Sequence, residues 1–418
     1  MNYERTDTVI VGGGQSGIAM SEHLNDLGIP HIVLERERIA ERWRSERWDS
    51  LVANGPAWHD RFPGMKMTDV HPDSFPPKER MARYLEEYAH KVGAPIRTGV
   101  EVLRVQKREG STGFIVTTSK GTIEAERVVA ATGPFQKPHM PDLVPEDTRL
   151  MQIHSSAYKN PGQLPDGAVL VVGGGASGAQ IAEELHRAGR EVFLSIGEHY
   201  RPPRSYRGRD YVWWLGVLGK WDEVTGDPRR KHVAFAVSGY DGGKTVDFRR
   251  LANQGITILG KTIGYDSGTI RIADDLAENL AEGDRAYLEM LREADDYVAR
   301  NGVDLPEEPE AWKIEPDAAC ISEPVLSVDL AQQGVTSIVW ATGFRFDFSW
   351  LEVDVFDEEG MPKHKRGIAP ERGIYFLGLP ELTNRASSFI YGCWYDAKYI
   401  ATHIGLQRSY AAYEPADA

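Results

Sequence analysis

The sequence predicts an α/β fold built from two doubly wound parallel sheets, each a three-layer sandwich of helices and strands. Two runs carry this prediction: VIVGGGQSG, beginning at residue 9, and VLVVGGGASG, beginning at residue 169. Each opens with apolar, largely β-branched residues, typical of a buried parallel strand, and continues into a GxGxxG turn and a helical pattern. Strand, glycine turn and helix in this order form the Rossmann fingerprint for a dinucleotide pyrophosphate. Two fingerprints in one chain therefore predict two dinucleotide sites.

The first fingerprint has a suitable residue at each position that the fold needs. Gly12 allows the tight turn, Gly14 lets the backbone approach the pyrophosphate, and Gly17 lets the helix pack on the strand. The next strand, over residues 31–34, ends at Glu35, where an acidic side chain binds ribose hydroxyls. The alternative for Glu35 is a solvated carboxylate at a strand end. The neighbouring side chains that we also expect at this cofactor are Gln15, Ser16, Arg36 and Trp43.

The second fingerprint repeats the turn but has a different strand end. Its cofactor-binding residues are predicted to be Gly173, Gly175, Ser177 and Gly178. The next strand, over residues 191–194, is followed by Ser195, which we align with Glu35, so no carboxylate would repel a 2′-phosphate. Arg201 and Arg204 follow, and arginine accommodates that phosphate unless the two side chains pair with acids instead. The pattern favours a resident FAD at the first site and an exchanging NADPH, rather than NADH, at the second.

Two later strands end in similar short turns. The predicted strand over residues 127–131 leads into ATGP, and the one over residues 337–340 leads into ATGF. From these turns we add Thr132, Gly133, Thr342 and Gly343 to the cofactor-binding residues. A helix is predicted from about residue 388 to 404, and its N-terminal end favours negative charge, as at the electron-rich edge of a flavin. Ser388 lies at that end and is added for this reason.

The order of these elements predicts that one domain is inserted into the other. The FAD-binding domain comprises residues 1–155 and 330–418, and the NADPH-binding domain comprises residues 156–329. The NADPH domain carries an insert at about 205–320, which contains the aromatic and arginine-rich run YRGRDYVWWLGVLGKW, starting at residue 206. Two interpretations of this run stay open: a wall of the substrate pocket, and a core or dimer contact.

Composition excludes several classes of partner. The net charge of −14 argues against nucleic acid and anionic membranes, and no apolar run is long enough to span a bilayer. Only two cysteines are present, without a CxxC, and no HxxH or HExxH occurs, so we expect neither a disulfide scaffold nor a metal site. The first strand begins so near the N-terminus that we expect no signal peptide, and therefore a cytoplasmic protein. A homodimer is compatible with the architecture.

Together these motifs resemble the flavin-containing monooxygenase family. The likeness rests on the paired fingerprints, the two ATG turns, an HxxxY element formed by His154 and Tyr158, and the segment SLVAN, which ends at Asn54. The resemblance implies FAD, NADPH and O2, a C4a-(hydro)peroxyflavin, and oxygen transfer to an amine nitrogen or sulfur of a small molecule. It also implies Asn54, His154 and Tyr158 as the catalytic group, with Asn54 contacting the peroxide oxygens. The alternatives are a turn-forming Asn54 and a structural His154.

The sequence departs from the family pattern, and other functions stay open. Thr148 and Leu150 stand where the linker signature has phenylalanine and glycine, which leaves the linker's role in coordinating the domains less secure. A Baeyer–Villiger monooxygenase acting on a ketone or aldehyde is the nearest alternative, with Arg207 or Arg209 as its cation. An NAD(P)H-dependent flavin reductase or oxidase, a disulfide reductase and a nucleotide-binding sensor are further alternatives. The substrate cannot be deduced from the sequence.

Overall fold

The computed structural model describes residues 4–146, 149–224 and 234–413. Thr148 and residues 225–233 of the insert lie outside the described residues. The strands are β1 (Glu4–Val11), β2 (His31–Glu35), β3 (Ile96–Thr98), β4 (Val102–Lys107), β5 (Phe114–Thr118), β6 (Gly121–Ala130), β7 (Lys137–Pro138), β8 (Met151–His154), β9 (Ala168–Val172), β10 (Val192–Ser195), β11 (His199–Tyr200), β12 (Ser205–Tyr206), β13 (Arg209–Asp210), β14 (Ala234–Phe235), β15 (Thr257–Leu259), β16 (Thr262–Asp266), β17 (Thr269–Ile272), β18 (Ser327–Asp329), β19 (Val335–Trp340), β20 (Phe344–Arg345), β21 (Leu351–Glu352) and β22 (Ile374–Phe376). The helices are α1 (Gln15–Asp26), α2 (Glu41–Ser45), α3 (Lys78–Lys91), α4 (Ala176–Arg187), α5 (Tyr211–Val217), α6 (Phe248–Asn253), α7 (Leu276–Asn301), α8 (Ala319–Ser322) and α9 (Ile390–Ala411).

The first unit is built on a mixed sheet in the order β21-β4-β5-β6-β1-β2-β3, with β22 also paired to β6. The pairs that join β3, β2, β1, β6 and β22 are parallel, whereas β4 and β5 form antiparallel pairs with β5 and β6. The central strand β1 is wholly buried over its last four residues because both of its faces are covered. Helices α1 and α9 pack against each other, so the C-terminal helix completes the fold that the N-terminal fingerprint begins.

The second unit is a five-stranded sheet in the order β15-β10-β9-β19-β8. All of its strand pairs are parallel. Strands β8 and β19 lie in this sheet, although the predicted boundaries at 155/156 and 329/330 assign them to the first unit. The boundaries were wrong because β19 pairs with β9 and brings its ATGF turn to the second glycine turn, as the ATGP turn after β6 meets the first. The second unit therefore begins before residue 156 and ends after residue 329.

The aromatic run of the insert forms an apolar cluster that also reaches the first unit. Tyr206 and Trp214 are fully buried in this cluster with residues of α7. Trp221 belongs to the same cluster and also stacks on His59 of the first unit, with ring centroids 5.1 Å apart. The run therefore supplies both a core contact and a wall that faces the first unit. None of the helices in the described residues is both long and apolar enough to cross a membrane.

Candidate active site

The first glycine turn leaves open space where a pyrophosphate would lie. A Cβ atom on Gly17 would lie 1.9 Å from the carbonyl oxygen of Gly12, and one on Gly12 would lie 2.7 Å from that of Ala131. Both glycines are therefore required by close packing, and Gly12 also has a φ of +114°. A Cβ atom on Gly14 would meet nothing within 4 Å. The turn thus fits a dinucleotide, because its backbone is exposed at the one glycine that should approach the phosphates.

Glu35 is held at this turn by backbone hydrogen bonds. Its Oε2 accepts from the amide of Gly13 at 2.7 Å, and its Oε1 accepts from the amide of Glu37 at 3.0 Å. The carboxylate therefore lies at the end of β2 beside the glycine turn, as a ribose-binding acid should. Arg36 is exposed, whereas Trp43 on α2 is half-buried and packs against the cores of both units.

The C-terminal helix meets the first turn at its N-terminal end. The side-chain amide of Gln15 donates to the carbonyl oxygen of Ser388 at 2.8 Å, and α9 starts two residues later. Ser16 is buried and packs against Gly378. A Cβ atom on Gly378 would lie 2.0 Å from the Ser16 hydroxyl oxygen. These contacts bring the positive end of a helix of 22 residues next to the predicted cofactor turn.

The second glycine turn repeats the geometry of the first. A Cβ atom on Gly178 would lie 1.8 Å from the carbonyl oxygen of Gly173, and one on Gly173 would lie 2.3 Å from that of Ala341. Gly175 precedes α4 with extended backbone, and Ser177 lies half-buried in the first turn of that helix. The two units therefore present two equivalent turns, each closed by the alanine of an ATG element.

Strand register shows that Ser195 was aligned one residue too early. The Gly12 amide donates to Leu34 and the Gly173 amide to Ser195, both at 2.9 Å, so Ser195 corresponds to Leu34. The counterpart of Glu35 is Ile196, whose Cβ lies 3.1 Å from a Cβ placed on Gly174. Ser195 is buried and donates to the carbonyl oxygen of Gly260 at 2.8 Å, which turns it away from a ribose. The position still carries no carboxylate, because Ile196 is apolar.

The assignment of Arg201 and Arg204 to a 2′-phosphate was also wrong. Each is 3% exposed. Arg201 pairs with Asp284 at 2.7 Å and with Asp247 at 3.0 Å. Arg204 pairs with Asp210 and donates to the backbone carbonyl oxygen of Asn54 at 2.6 Å. Buried guanidinium groups need such partners, and these carboxylates neutralise the charge that a phosphate would require.

A cation that the sequence analysis missed lies beside the residue that follows Ile196. Lys261 is exposed and follows β15, the strand next to β10 in the sheet. Its Cγ and Cδ atoms lie 4.0 Å from the place that a Cβ on Gly197 would take, one residue after Ile196. The sequence did not indicate this position for Lys261, because β15 has only three residues and pairs with β10, which lies far away along the chain.

Asn54 lies between the two units with its orientation fixed. Gln180 of α4 donates to its Oδ1 at 3.0 Å and to the carbonyl oxygen of Val237 at 2.8 Å. Asn54 is exposed, and its Nδ2 makes no hydrogen bond within the described residues. Because Oδ1 accepts from Gln180, the amide hydrogens are the groups left for a further acceptor.

His154 joins the linker to the ATGF turn. The Ser156 amide donates to its Nδ1 at 3.1 Å, so its Nε2–H donates to the Gly343 carbonyl oxygen at 2.9 Å. Burial lowers the pKa of His154, which favours this neutral form. These bonds engage both ring nitrogens within the protein, which favours a positioning role and hence the structural alternative.

Tyr158 ties the linker to α4. Its hydroxyl donates to Glu184 Oε2 at 2.6 Å, while the Ser50 hydroxyl donates to Glu184 Oε1 at 2.5 Å. Tyr158 is fully buried, and burial together with Glu184 raises the pKa of its phenol. Glu184 thus anchors both the linker and the segment that leads to Asn54, which gives Tyr158 a positioning role too.

The two ATG turns are joined through the segment that follows the first turn and contains Gln136 and His139. Thr132 Oγ1 accepts from the Gln136 side chain at 2.9 Å, and the carbonyl oxygen of Gly133 accepts from the same amide at 2.8 Å. The Thr342 hydroxyl donates to the His139 carbonyl oxygen. The His139 amide in turn donates to the Gly343 carbonyl oxygen at 2.9 Å. The turns therefore form one interface between the units.

Comparison with known proteins identifies the family. A family model described as pyridine nucleotide-disulphide oxidoreductase matches residues 9–207. The chain is 34% identical to an oxidoreductase named CzcO-like from Geobacillus kaustophilus, over 95% of this chain and 98% of that protein. It is 32% identical to indole-3-pyruvate monooxygenase YUCCA1 of Oryza sativa, over 89% of this chain and 86% of that protein. The chain belongs to the flavin-containing monooxygenase family. In fold it resembles a flavin-containing monooxygenase from Stenotrophomonas maltophilia, with a TM-score of 0.67, 20% identity, and coverage of 98% of this chain and 100% of that one.

Membership of this family makes the protein an oxidoreductase of the monooxygenase class and implies a flavin and a pyridine nucleotide. The two cysteines suit this class rather than a disulfide reductase. Cys393 is fully buried in the first core, which raises the pKa of its thiol, and Cys320 packs against the second. Both thiols are free, and the described residues hold no group of three or more side chains suited to a metal ion.

Proposed function

We propose that this chain is an NADPH- and FAD-dependent monooxygenase that forms a C4a-(hydro)peroxyflavin and transfers one oxygen atom from O2 to an amine nitrogen or sulfur of a small organic substrate. The observation that carries the proposal is the geometry of Asn54. It lies exposed between the two units, its Oδ1 is fixed by Gln180, and its amide hydrogens have no acceptor within the described residues. An oxygen adduct on a flavin needs such a fixed donor, because preorganised hydrogen bonds stabilise developing charge without reorganisation.

The two glycine turns support the assignment of cofactors. FAD is assigned to the first turn, where Gly14 faces open space and Glu35 is held for a ribose. NADPH is assigned to the second turn, where Ile196 replaces the acid that would repel a 2′-phosphate. Lys261, exposed beside Gly197, is the cation that we assign to that phosphate.

The chain's residues divide the remaining tasks. Bound flavin, reduced by the nicotinamide, supplies the activation of O2. Asn54 donates to the oxygen atoms, Gln180 keeps its carboxamide from rotating, and Arg204 holds its backbone. Glu184 fixes the linker and the Asn54 segment through Tyr158 and Ser50. Loss of Gln180 or Arg204, which contact Asn54 directly, should loosen the site, because its donors must be held to within a fraction of an ångström.

A carbonyl substrate is the second candidate, favoured by the relatives. Proteins at 31–32% identity are named indole-3-pyruvate monooxygenases, and that substrate is a keto acid. The cations considered for Baeyer–Villiger chemistry do not favour this candidate. Arg207 pairs with Asp295, and Arg209 is exposed over the ring of Trp213. Product analysis with an amine, a thioether and a ketone separates the two functions.

The test is the substitution Asn54→Leu, followed by the ratio of peroxide released to NADPH consumed. A hydrogen bond to a charged group is worth about 1.5–3 kcal/mol, so its loss should shorten the life of the oxygen adduct roughly 10- to 100-fold. Flavin reduction by NADPH should be unchanged. Asn301→Leu makes the same change at the exposed end of α7 and should stay coupled. Unchanged coupling in Asn54→Leu would contradict the proposed role.

A further inference from the structure

A buried histidine near Asn54 has an unsatisfied nitrogen. His59 is 8% exposed, and its Nδ1 lies 2.9 Å from Asp60 Oδ1. Asp60 Oδ2 accepts from the amide of Gly55 at 3.1 Å, so the carboxylate acts as an acceptor at both oxygens and Nδ1 carries the hydrogen. The lone pair is then on Nε2, which is buried and has no hydrogen-bond partner within the described residues. Buried polar atoms are normally satisfied, so this Nε2 is an acceptor open to a donor from water or from a bound molecule.

Aromatic rings from three separate segments contact the His59 ring. The His59 ring stacks on Trp221 at 5.1 Å, lies 5.5 Å from Tyr391 and contacts Trp58 edge-on at 5.5 Å. Trp221 in turn contacts Phe389, which is 46% exposed at the start of α9. His59 and Asp60 therefore lie where the Asn54 segment, the insert and the N-terminal end of α9 meet. The partly exposed ring of Phe389 lies at the edge of this aromatic group.

The charged groups around His59 favour a cation. Asp60 belongs to its own loop, and Asp222 lies beside Trp221 and acts on Tyr391. Burial and its neighbour Tyr395 raise the pKa of Tyr391 to about 12, so that phenol is neutral at physiological pH. Of the nearby cations, Lys220 pairs with Glu293 and Arg385 pairs with Glu223, whereas Arg61 donates to the backbone carbonyl oxygens of Trp58 and Phe62. Carboxylates and π faces together attract an ammonium group.

We propose that His59, oriented by Asp60, is the base that accepts the proton from the ammonium form of an amine substrate. The inference rests on the proposed function and names its substrate class: small alkylamines that are protonated at neutral pH. The N–H bond of the ammonium breaks, its proton passes to Nε2, and Asp60 compensates the imidazolium. The free lone pair then forms the N–O bond with one atom of O2. The other atom leaves as water with two electrons from NADPH, and His59 returns its proton to solvent.

A thioether provides an internal control because its sulfur carries no proton to remove. The holoenzyme and the variant His59→Asn are compared with N,N-dimethylbenzylamine, an alkylamine, and with methyl phenyl sulfide. We expect kcat/KM for the amine to fall on the order of 100-fold at neutral pH, the scale of general-base catalysis. The loss should shrink as pH rises and solution supplies the free amine, while sulfide oxygenation stays within about twofold of wild type. His90→Asn, at an exposed position on α3, should change neither.

Several outcomes would overturn the proposal. Equal losses for both substrates, at unchanged flavin content and Tm, would show a structural role for His59, and unchanged amine kinetics would show no role. His59→Gln checks that the result does not depend on one substitution. If wild type oxygenates neither probe, the proposed function fails by itself. His59 is then tested by NMR of histidine-labelled holoenzyme: the ring resonance absent from His59→Asn should change its titration midpoint on adding the amine, and an unmoved midpoint would refute the proposal.

Discussion

Replacing Arg204 by methionine tests whether this arginine is a structural residue or a phosphate ligand. The side chain is 3% exposed, pairs with Asp210 and donates to the carbonyl oxygen of Asn54. Asp210 also accepts from the amide of Val212 and caps α5, so the variant leaves a partly buried carboxylate without its cation. Breaking such a pair costs about 3–5 kcal/mol. At about 2–4 °C per kcal/mol for a unit of this size, the second unit should lose on the order of 10 °C in Tm.

The assay combines thermal unfolding with steady-state kinetics for both nicotinamides. Arg204→Met should lower Tm and weaken coupling through Asn54, but raise KM for NADPH and NADH by similar factors. Arg209→Met is the matched control, since Arg209 is exposed over Trp213 and its loss should change stability by no more than about 0.5 kcal/mol. An unchanged Tm with a rise in KM for NADPH alone would refute the structural role and restore the phosphate contact.

Further substitutions test the first glycine turn, the proposed phosphate contact of Lys261 and the role of Tyr158. Gly14→Ala should fold normally and bind FAD weakly, whereas Gly17→Ala should lose the fold, because its Cβ would lie 1.9 Å from a carbonyl oxygen; flavin content and apoprotein Tm distinguish them. Lys261→Ala should raise KM for NADPH roughly tenfold, the worth of one hydrogen bond to a charged group, and leave KM for NADH unchanged. Tyr158→Phe should cost about 1–3 kcal/mol by leaving Glu184 short of a donor, with turnover per bound flavin within about twofold of wild type; a large loss of turnover at unchanged Tm would argue for a catalytic role.

Local signals were sufficient for much of the fold. The two glycine turns could be predicted because each depends on about ten consecutive residues, and α9 begins within two residues of its predicted start at about residue 388. The boundaries between the units could not be predicted, because β8 and β19 join the second sheet through pairing with strands that are distant in the sequence. Sequence order alone does not say in which sheet a strand lies.

The candidate site shows the same division between local and long-range information. Asn54 was predicted from a short motif, but Gln180, which orients it, lies 126 residues away. The partners that bury Arg201 are likewise distant, since Asp284 is 83 residues further along the chain. The one-residue error at Ser195 arose because the end of a strand cannot be located exactly without its hydrogen bonds. His59 gave no signal because an unpaired nitrogen becomes visible only once its surroundings are known.

Oxygen transfer through an adduct on the flavin is what separates the proposed monooxygenase from an oxidase or a reductase. The most direct test reduces the purified holoenzyme anaerobically with NADPH and mixes it with oxygenated buffer in a stopped-flow spectrometer. We predict a long-lived intermediate absorbing in the near ultraviolet before oxidised flavin returns, and faster decay of that intermediate in Asn54→Leu. Immediate return to oxidised flavin with stoichiometric peroxide, in the presence of an amine or thioether as well as without one, would contradict it and indicate an oxidase or reductase.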